Sequence, residues 1–287
     1  MKIFPKIVIG HNNFFGVDHL SKSRGKSRFN YFSDVSNIEE VIDYCIENGA
    51  KGMMLSTHER SKKIIDILKK KELKIYPLLP YMQKYVTMAN NKGIVGTINH
   101  HIFKKNSIFE NIIKILNLSK GCITLNDSII FNQLIESELS MFKDLNLDCI
   151  FLHDGLVDIC LALDQKEIIL NYIEYIERRY NCYAGFATKN FSILIEKFKI
   201  WGIKNPKIMS HINDLGFNMN PSVKEFENSI ENNEFNFMAM SSLASGYSKP
   251  INAYKYIGKF KKIESICVGV SSKKHVIDTF NAIKTYI

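Results

Sequence analysis

Short apolar stretches alternate with longer amphipathic segments along this chain. Eight stretches are rich in apolar and β-branched residues and have the length of strands: KIVIG (6–10), GMMLS (52–56), KIYPLLP (74–80), DCIFL (148–152), CYAGF (182–186), KIMSH (207–211), FNFMAM (235–240) and ESICVGV (264–270). Most of them are apolar throughout rather than alternating, which is typical of parallel strands covered by helices on the outside. The pattern therefore predicts eight buried parallel strands.

Segments with helical periodicity lie between these strands. In the first, 37–49, Ile38, Val41, Ile42 and Cys45 fall on one face, and Gly49 stands where a helix ends. The others are 59–72, 166–181, 191–202, 222–234, 250–260 and 273–283. Since no GxGxxG follows the first strand to mark a dinucleotide crevice, the repeated strand and helix units favour a closed (β/α)8 barrel over an open sheet.

One connection is much longer than the rest. Residues 81–146 follow the third strand and contain two further helical patterns, SIFENIIKILNL and SIIFNQLIESELSMF. We see no linker and no shift in composition that would divide the chain. The prediction is a single barrel domain over 1–287, in which 81–146 forms a helical insertion near the barrel mouth.

Composition narrows the class of protein. The 287 residues are 46% hydrophobic, which is enough to fill the core of one large barrel. The net charge of +9 is spread over helices and mixed with glutamate and asparagine, so it does not form the basic stripe with aromatics that nucleic-acid binding needs. It is compatible with a small anionic substrate.

Other sequence features point to an intracellular protein. No apolar run reaches the roughly 18 residues of a membrane helix, and the opening MKIFPKIVIG does not resemble a signal peptide. The cysteines stand singly in apolar surroundings, as reduced core cysteines do. We therefore expect a cytoplasmic enzyme with a small-molecule substrate and neither nucleic-acid nor membrane partners, while the oligomeric state stays open.

Histidines gather where the predicted strands end. In (β/α)8 barrels the chemistry lies on the loops after the carboxyl ends of the strands. Five of the eight histidines occupy such loops: His11, His19, His58, His153 and His211. Any one of them could be a structural histidine bonded to a loop carbonyl, but five on one rim indicate an active site.

Two kinds of chemistry fit these histidines. In the first, His11, Asp18, His19 and His211 bind a divalent metal, whose bound water would ionise at a pKa of about 7. In the second, histidine and carboxylate side chains act as acid and base, with the candidates His58, Tyr81, Lys84, His153, Asp154 and Lys189. No HxH or HExxH motif is present, and spacing does not choose between the two.

The last strand continues into a loop that suits a phosphate group. In CVGVSSKKHVI (267–277), Gly269, Ser271, Ser272 and Lys273 precede or begin a helix, where backbone N–H groups and hydroxyls favour an anion. An ordinary serine N-cap is the alternative explanation.

Several segments resemble the aldo-keto reductases. FMAMSSLASGYSKP (237–250) and IESICVGVSSKKHVIDTFNAI (263–283) are similar to the closing strands and the phosphate loop of that superfamily, while DCIFLHDG and GFATKNF are similar to its fourth and fifth strands. The resemblance implies that NADPH is the cofactor and that His153 is the histidine of the catalytic tetrad. It further implies that Asn190 contacts the substrate or nicotinamide, with the phosphate held by Gly269, Ser271, Ser272 and Lys273.

The resemblance breaks down in the N-terminal half. The aldo-keto reductases have an aspartate on strand two and a catalytic tyrosine shortly after it, and MMLSTHERSKK (53–63) contains neither. Lys84 is a displaced candidate for the tetrad lysine. Tyr81 or Tyr85 would have to replace the tyrosine, unless the barrel has kept the scaffold and changed the reaction.

The sequence therefore leaves three functional hypotheses. The first is an enzyme acting on a small polar, anionic or phosphorylated metabolite by histidine and carboxylate acid-base chemistry, with or without the help of a metal, as a lyase, isomerase or hydrolase. The second is an NADPH-dependent oxidoreductase like the aldo-keto reductases. The third is a non-catalytic barrel that binds a ligand or partner.

Overall fold

Eight parallel strands form a closed barrel. The computed structural model describes residues 3–18, 20–81 and 125–287. The strands are β1 (Ile7–Ile9), β2 (Gly52–Leu55), β3 (Lys74–Leu79), β4 (Cys149–Leu152), β5 (Tyr183–Thr188), β6 (Lys207–His211), β7 (Asn236–Met240) and β8 (Ile263–Val268). Each strand pairs with the next, and β1 pairs with β8 through Ile7, Val8 and Ile9 opposite Ile266, Cys267 and Val268. The predicted (β/α)8 barrel is confirmed.

Helices surround the barrel on its outside. They are α1 (Lys22–Tyr31), α2 (Val35–Glu47), α3 (Ser61–Leu68), α4 (Leu125–Leu139), α5 (Asp154–Ala162), α6 (Lys166–Tyr180), α7 (Phe191–Ile200), α8 (Val223–Asn232), α9 (Pro250–Ile257) and α10 (Lys273–Tyr286). Short 3-10 turns follow α4 at Ser140–Phe142 and β7 at Ala244–Gly246. Across the described ranges, none of the helices combines the length and apolar character needed to cross a membrane.

The sequence pattern located the strands well and missed two helices. All eight strands lie within two residues of their predicted bounds. Helix α1, KSRGKSRFNY, buries Gly25 and has no apolar stripe, so its sequence lacks helical periodicity. Helix α5 begins directly at Asp154, in a segment that we interpreted as an active-site loop.

Helix α4 is the part of the predicted insertion that the structure describes. It coincides with SIIFNQLIESELSMF and packs against α6, where the Phe131 and Tyr172 rings meet edge to face at 6.2 Å. The other predicted helix, SIFENIIKILNL, lies outside the described residues. The placement of the insertion over the mouth and the single-domain organisation therefore stay predictions.

The inside of the barrel is filled with side chains. Phe4, Tyr76 and Phe151 pack together at the amino-terminal end, with ring centroids 5.9 to 6.4 Å apart. Met54, Met209 and Cys267 belong to the same buried cluster nearer the carboxyl-terminal end. Since the amino-terminal end is closed by aromatic rings, the carboxyl-terminal end of the strands is the side from which a ligand could reach the barrel interior.

The substitution Gly185→Ala should destabilise the barrel. A Cβ atom on Gly185 would lie 2.6 Å from Cδ1 of Phe151 and 2.7 Å from Sγ of Cys149, both inside the barrel. Overpacking of this kind costs about 1–3 kcal/mol, which urea unfolding would measure. Gly202→Ala is the control, because a Cβ there meets nothing within 4 Å and the cost comes from the positive φ of 79° and amounts to about 1 kcal/mol. Equal losses would contradict the crowding argument.

Candidate active site

Four aromatic rings line the barrel mouth beside the ends of β1, β2 and β3. The ring of Phe15 lies 4.7 Å from that of His11 and stacks on that of His58 at 4.2 Å. The ring of His58 in turn meets Tyr81 edge to face at 5.6 Å. We call His11, Phe15, His58 and Tyr81 the aromatic wall. Three residues predicted from separate loops are thus brought together.

His11 is an uncharged member of this wall. Its Nδ1 lies 3.2 Å from the carbonyl oxygen of Met54, so Nδ1 carries the proton and donates it. Burial is the main reason that the pKa of His11 is lowered to about 4; the hydrogen bond to Met54 opposes this shift, and the electrostatic effects of His153 and His58 add to it. His11 is therefore a neutral imidazole at neutral pH.

His58 and Tyr81 are also uncharged near neutral pH. The N–H of Arg60 donates to Nδ1 of His58 at 3.1 Å, which places the proton of the neutral ring on Nε2. Burial and the charge of Arg60 lower the pKa of His58, while Glu59 opposes them. Burial, together with the charge of Glu59, raises the pKa of Tyr81 to about 12. Both side chains can therefore donate hydrogen bonds to a ligand at the mouth.

A charged cluster follows the ends of β4 and β5. Nδ1 of His153 lies 2.7 Å from Oδ1 of Asp154, and Nζ of Lys189 lies 3.4 Å from Oδ2. The N–H of Gly155 lies 3.1 Å from Nδ1 and 3.0 Å from Oδ1. Lone pairs on Nδ1 of His153 and Oδ1 of Asp154 would repel each other at 2.7 Å. We therefore place a proton on Nδ1 and assign the hydrogen bond of the Gly155 N–H to the carboxylate. This arrangement leaves Nε2 of His153 as the atom that gains or loses a proton.

Asp154 is the anion of this cluster. Burial opposes its ionisation, but the hydrogen bond from His153 and the charges of His153, Lys189 and His211 outweigh burial and hold the pKa of Asp154 well below its ordinary value. His211, buried at the end of β6, therefore lies close enough to act on this carboxylate. Lys189 is 43% exposed and ion-paired, as expected for a charge partner.

Asp18, a predicted metal ligand, is paired with two arginine side chains. Its buried carboxylate accepts from Arg24 at 2.5 Å, from Arg28 at 3.1 Å, and from the N–H groups of Leu20 and Ser21. The hydrogen bond from Arg24, together with those two backbone groups, lowers the pKa of Asp18 to about 2 in spite of burial. The carboxylate anchors α1 to the loop after β1.

The predicted metal site gains no support from the rest of the mouth. In the part of the chain that the structure describes, no three histidine, cysteine, aspartate or glutamate side chains are grouped so that they could hold a metal ion. His11 already donates from Nδ1 to a backbone carbonyl. His19 and Lys84, which we predicted as a metal ligand and a catalytic lysine, lie outside the described residues.

A cleft leads outward from the mouth between the β7–α9 loop and helix α10. It has a volume of about 370 Å³ and reaches from His11 and the methionines at the top of the barrel to the β7–α9 loop on one side and the first turns of α10 on the other. Backbone forms part of its lining at Gly10 and Gly269. A Cβ atom on Gly269 would lie 3.1 Å from Nδ2 of Asn13, and one on Gly10 would lie 3.2 Å from the nitrogen of Gly269.

The predicted phosphate loop is divided by the structure. Gly269 lines the cleft, whereas Nζ of Lys273 pairs with Oε1 of Glu40 on α2 at 2.8 Å. Ser272 caps α10, and the hydroxyl of Ser271 lies 2.9 Å from Nδ1 of His275. Phosphate binding by this loop therefore stays a prediction.

Two of the basic residues that line the cleft were missed by the sequence reasoning. The cleft is lined by His275 and Arg28. Arg28 lies in α1, which the sequence pattern did not reveal as a helix. Asn190 is the N-cap residue of α7, and its N–H donates to the hydroxyl of Thr188 at 2.8 Å. Its contact with substrate or nicotinamide stays a prediction.

Neither a protein-family model nor a curated protein matches this sequence. Solved structures do match. A Pseudomonas aeruginosa protein provisionally classed as an aldo-keto reductase superposes with a TM-score of 0.62 at 11% identity, over 98% of this chain and 90% of that one. An aldo-keto reductase from Bacillus halodurans, in its holo form, superposes with a TM-score of 0.57 at 10% identity, over 97% of this chain and 86% of that one. A glycerol dehydrogenase from Gluconobacter oxydans superposes with a TM-score of 0.53 at 9% identity, over 97% of this chain and 89% of that one. The chain has the aldo-keto reductase fold.

The aldo-keto reductase fold confirms the resemblance seen in the sequence and extends it to the N-terminal half. The match covers 97% or more of the chain in these three structures. At 9 to 11% identity, it shows the fold and leaves the reaction to be argued from the site. In this aldo-keto reductase-like barrel, the position after β2 carries His58 and Glu59, with no tyrosine.

Proposed function

We propose that this barrel is an oxidoreductase that interconverts a small carbonyl compound and its alcohol at the mouth. The proposed cofactor is NADPH, a nicotinamide dinucleotide, bound in the cleft. One observation carries the proposal. The cleft between the β7–α9 loop and α10 opens onto the mouth at His11. An extended ligand in the cleft would therefore place one end beside the aromatic wall.

The residues of the cleft fit such a cofactor. Its volume of about 370 Å³ falls within the usual range of ligand pockets, roughly 300–1,000 Å³. The backbone at Gly10 and Gly269 carries no side chain, so a ligand can approach the chain closely there. Arg28 and His275 line the outer part and offer N–H donors to phosphate oxygens.

The chain's own residues would manage the proton. When bound, the dinucleotide supplies or accepts a hydride. Nε2 of His153 would give a proton to the carbonyl oxygen during reduction and take it back during oxidation, since Asp154 fixes the proton on Nδ1. Tyr81, with a pKa of about 12, is a weak acid and would donate a hydrogen bond without losing its proton.

The other hypotheses are supported less. A metal-assisted lyase, isomerase or hydrolase needs a ligand set, and the described residues do not bring one together. A non-catalytic barrel would need no charged cluster that fixes the tautomer of His153. Elemental analysis tests the first, because a stoichiometric metal in protein that fails to bind NADPH would favour it.

Titration with NADPH tests the proposal directly. We expect saturable binding, seen as a change in nicotinamide fluorescence. In Gly269→Val the affinity should fall at least about tenfold, or about 1.4 kcal/mol, because the new side chain would press on Asn13, another residue of the cleft lining. Gly202→Val is the matched control, since that position is open and lies after α7. Equal affinities in Gly269→Val and the wild type would contradict the cleft as the binding site.

A further inference from the structure

A buried glutamate lies close to the mouth. Glu138 is in the last turn of α4 and is 4% exposed, between the buried side chains of Leu134, Ile135 and Leu139. Glutamate is almost never buried to this degree unless its carboxylate is paired. Packing alone would favour an apolar residue at this position, which would extend the buried face of the helix. The buried carboxylate therefore serves a purpose other than packing.

A single carboxylate oxygen of Glu138 connects two strand ends. Oε2 accepts a hydrogen bond from the hydroxyl of Thr57, in the loop after β2, and one from the N–H of Tyr81, after β3, at 3.4 Å. Helix α4, which packs on the outside of the barrel, is thereby joined to two loops of the mouth.

These two loops carry two rings of the aromatic wall. Thr57 directly precedes His58, whose ring meets that of Tyr81 at 5.6 Å. The His58 turn is held internally, because Arg60 donates to Nδ1 and the N–H of His58 donates to Ser61. Those bonds orient the ring within its own turn, whereas the bond from Thr57 to Glu138 holds that turn to α4 and, through the same carboxylate oxygen, to the backbone of Tyr81 after β3.

We propose that Glu138 is a positioning residue that holds His58 and Tyr81 in one fixed arrangement at the substrate site, a role that rests on the proposed oxidoreductase function. Glu138 acts through Thr57 and through the backbone of Tyr81. Removal of the buried acceptor leaves a hydroxyl and an N–H without this partner, and the loops then shift to satisfy them elsewhere. A shift of about 1 Å in a site of this kind lowers turnover by up to about 100-fold.

Three variants separate hydrogen bonding from charge and from general damage. Glu138→Gln keeps an oxygen acceptor and removes the charge, while Glu138→Leu removes the acceptor and keeps a side chain of similar size. Thr57→Val removes the donor alone and serves if the leucine variant does not fold. Glu136→Leu is the matched control, because Glu136 lies on the same helix with 53% of its side chain exposed.

We expect the leucine variant to change His58 itself. As the loop loosens, water reaches the ring, and the pKa of His58, measured by NMR titration, should rise toward 6.5, the ordinary value for a histidine. The neighbouring charges of Glu59 and Arg60 are the same in all variants. Carbonyl turnover should fall between about 10-fold and 100-fold with the affinity for NADPH unchanged. Glu138→Gln and Glu136→Leu should match the wild type in both measurements.

Two outcomes would overturn the positioning role. One is a wild-type pKa of His58 together with wild-type turnover in Glu138→Leu, or in Thr57→Val if the leucine variant does not fold. The other is an equal loss in the glutamine and leucine variants, which would assign the effect to the charge. If the pKa of His58 shifts as expected but the wild type reduces no carbonyl compound, the loop-holding role stands and the proposed oxidoreductase function fails.

Discussion

Between pH 7 and pH 4, the wild-type barrel should lose about 3 kcal/mol more stability than a variant in which His11 is replaced by asparagine. Burial lowers the pKa of His11 from 6.5 to about 4 in the folded protein. Between these two values the unfolded chain binds a proton at this residue and the folded chain does not, so stability falls as the pH falls. The loss is complete near pH 4, where the folded protein also takes up the proton.

Urea unfolding at several pH values measures this effect. Asparagine suits the test because its Nδ2 can replace Nδ1 of His11 as donor to Met54. His275→Asn is the control. Partial burial lowers the pKa of His275 too, but this residue is exposed to solvent, so it should contribute less to the loss of stability. If wild type and His11→Asn lose stability in parallel down to pH 4, His11 is not the buried neutral base that the structure indicates.

Asp154→Asn should lower carbonyl turnover by about 100-fold or more. The carboxylate of Asp154 accepts the proton on Nδ1 of His153, which leaves Nε2 free to exchange a proton with the substrate. An amide can instead donate to Nδ1, and this favours the tautomer in which Nε2 already carries its proton and has lost its basicity. KM and the affinity for NADPH should change little, because Asp154 acts through His153.

The nitrogen NMR spectrum of His153 makes this prediction independent of turnover. The wild type should show the proton on Nδ1, and Asp154→Asn should show it on Nε2. Asp164→Asn is the control, since Asp164 lies just after α5 with 71% of its side chain exposed. An unchanged tautomer with unchanged turnover would refute the assigned role of Asp154, whereas a changed tautomer with unchanged turnover would remove His153 from the reaction.

The sequence was enough to predict the barrel and the histidines that follow β1, β2 and β4 at its mouth. Strands such as GMMLS and KIMSH are buried on both faces, and their apolar composition marks them directly. His11, His58 and His153 were found because polar residues that follow buried strands must share one rim. His153 and Asp154 are neighbours in the chain, so the sequence placed both after β4, but only the structure shows that their side chains pair.

Residues that act across the fold were beyond the sequence. Glu138 lies 81 residues from Thr57, and no local pattern connects the two. Arg28 lies on a helix without an apolar stripe, so neither the helix nor its position beside the cleft could be inferred. Asp18 looked like a metal ligand because its carboxylate follows a strand end, and its engagement by Arg24 depends on that same unpredicted helix.

The pairing of β1 with β8 has a consequence for biosynthesis. These strands are joined by Ile7 opposite Ile266 and by the hydroxyl of Ser265 on the carbonyl of Pro5, a contact across 260 residues. During translation, β1 therefore keeps an unpaired edge until β8 has left the ribosome, and so does β7. A nascent chain that stops before β8 exposes two strand edges at once, and both are templates for association with other chains.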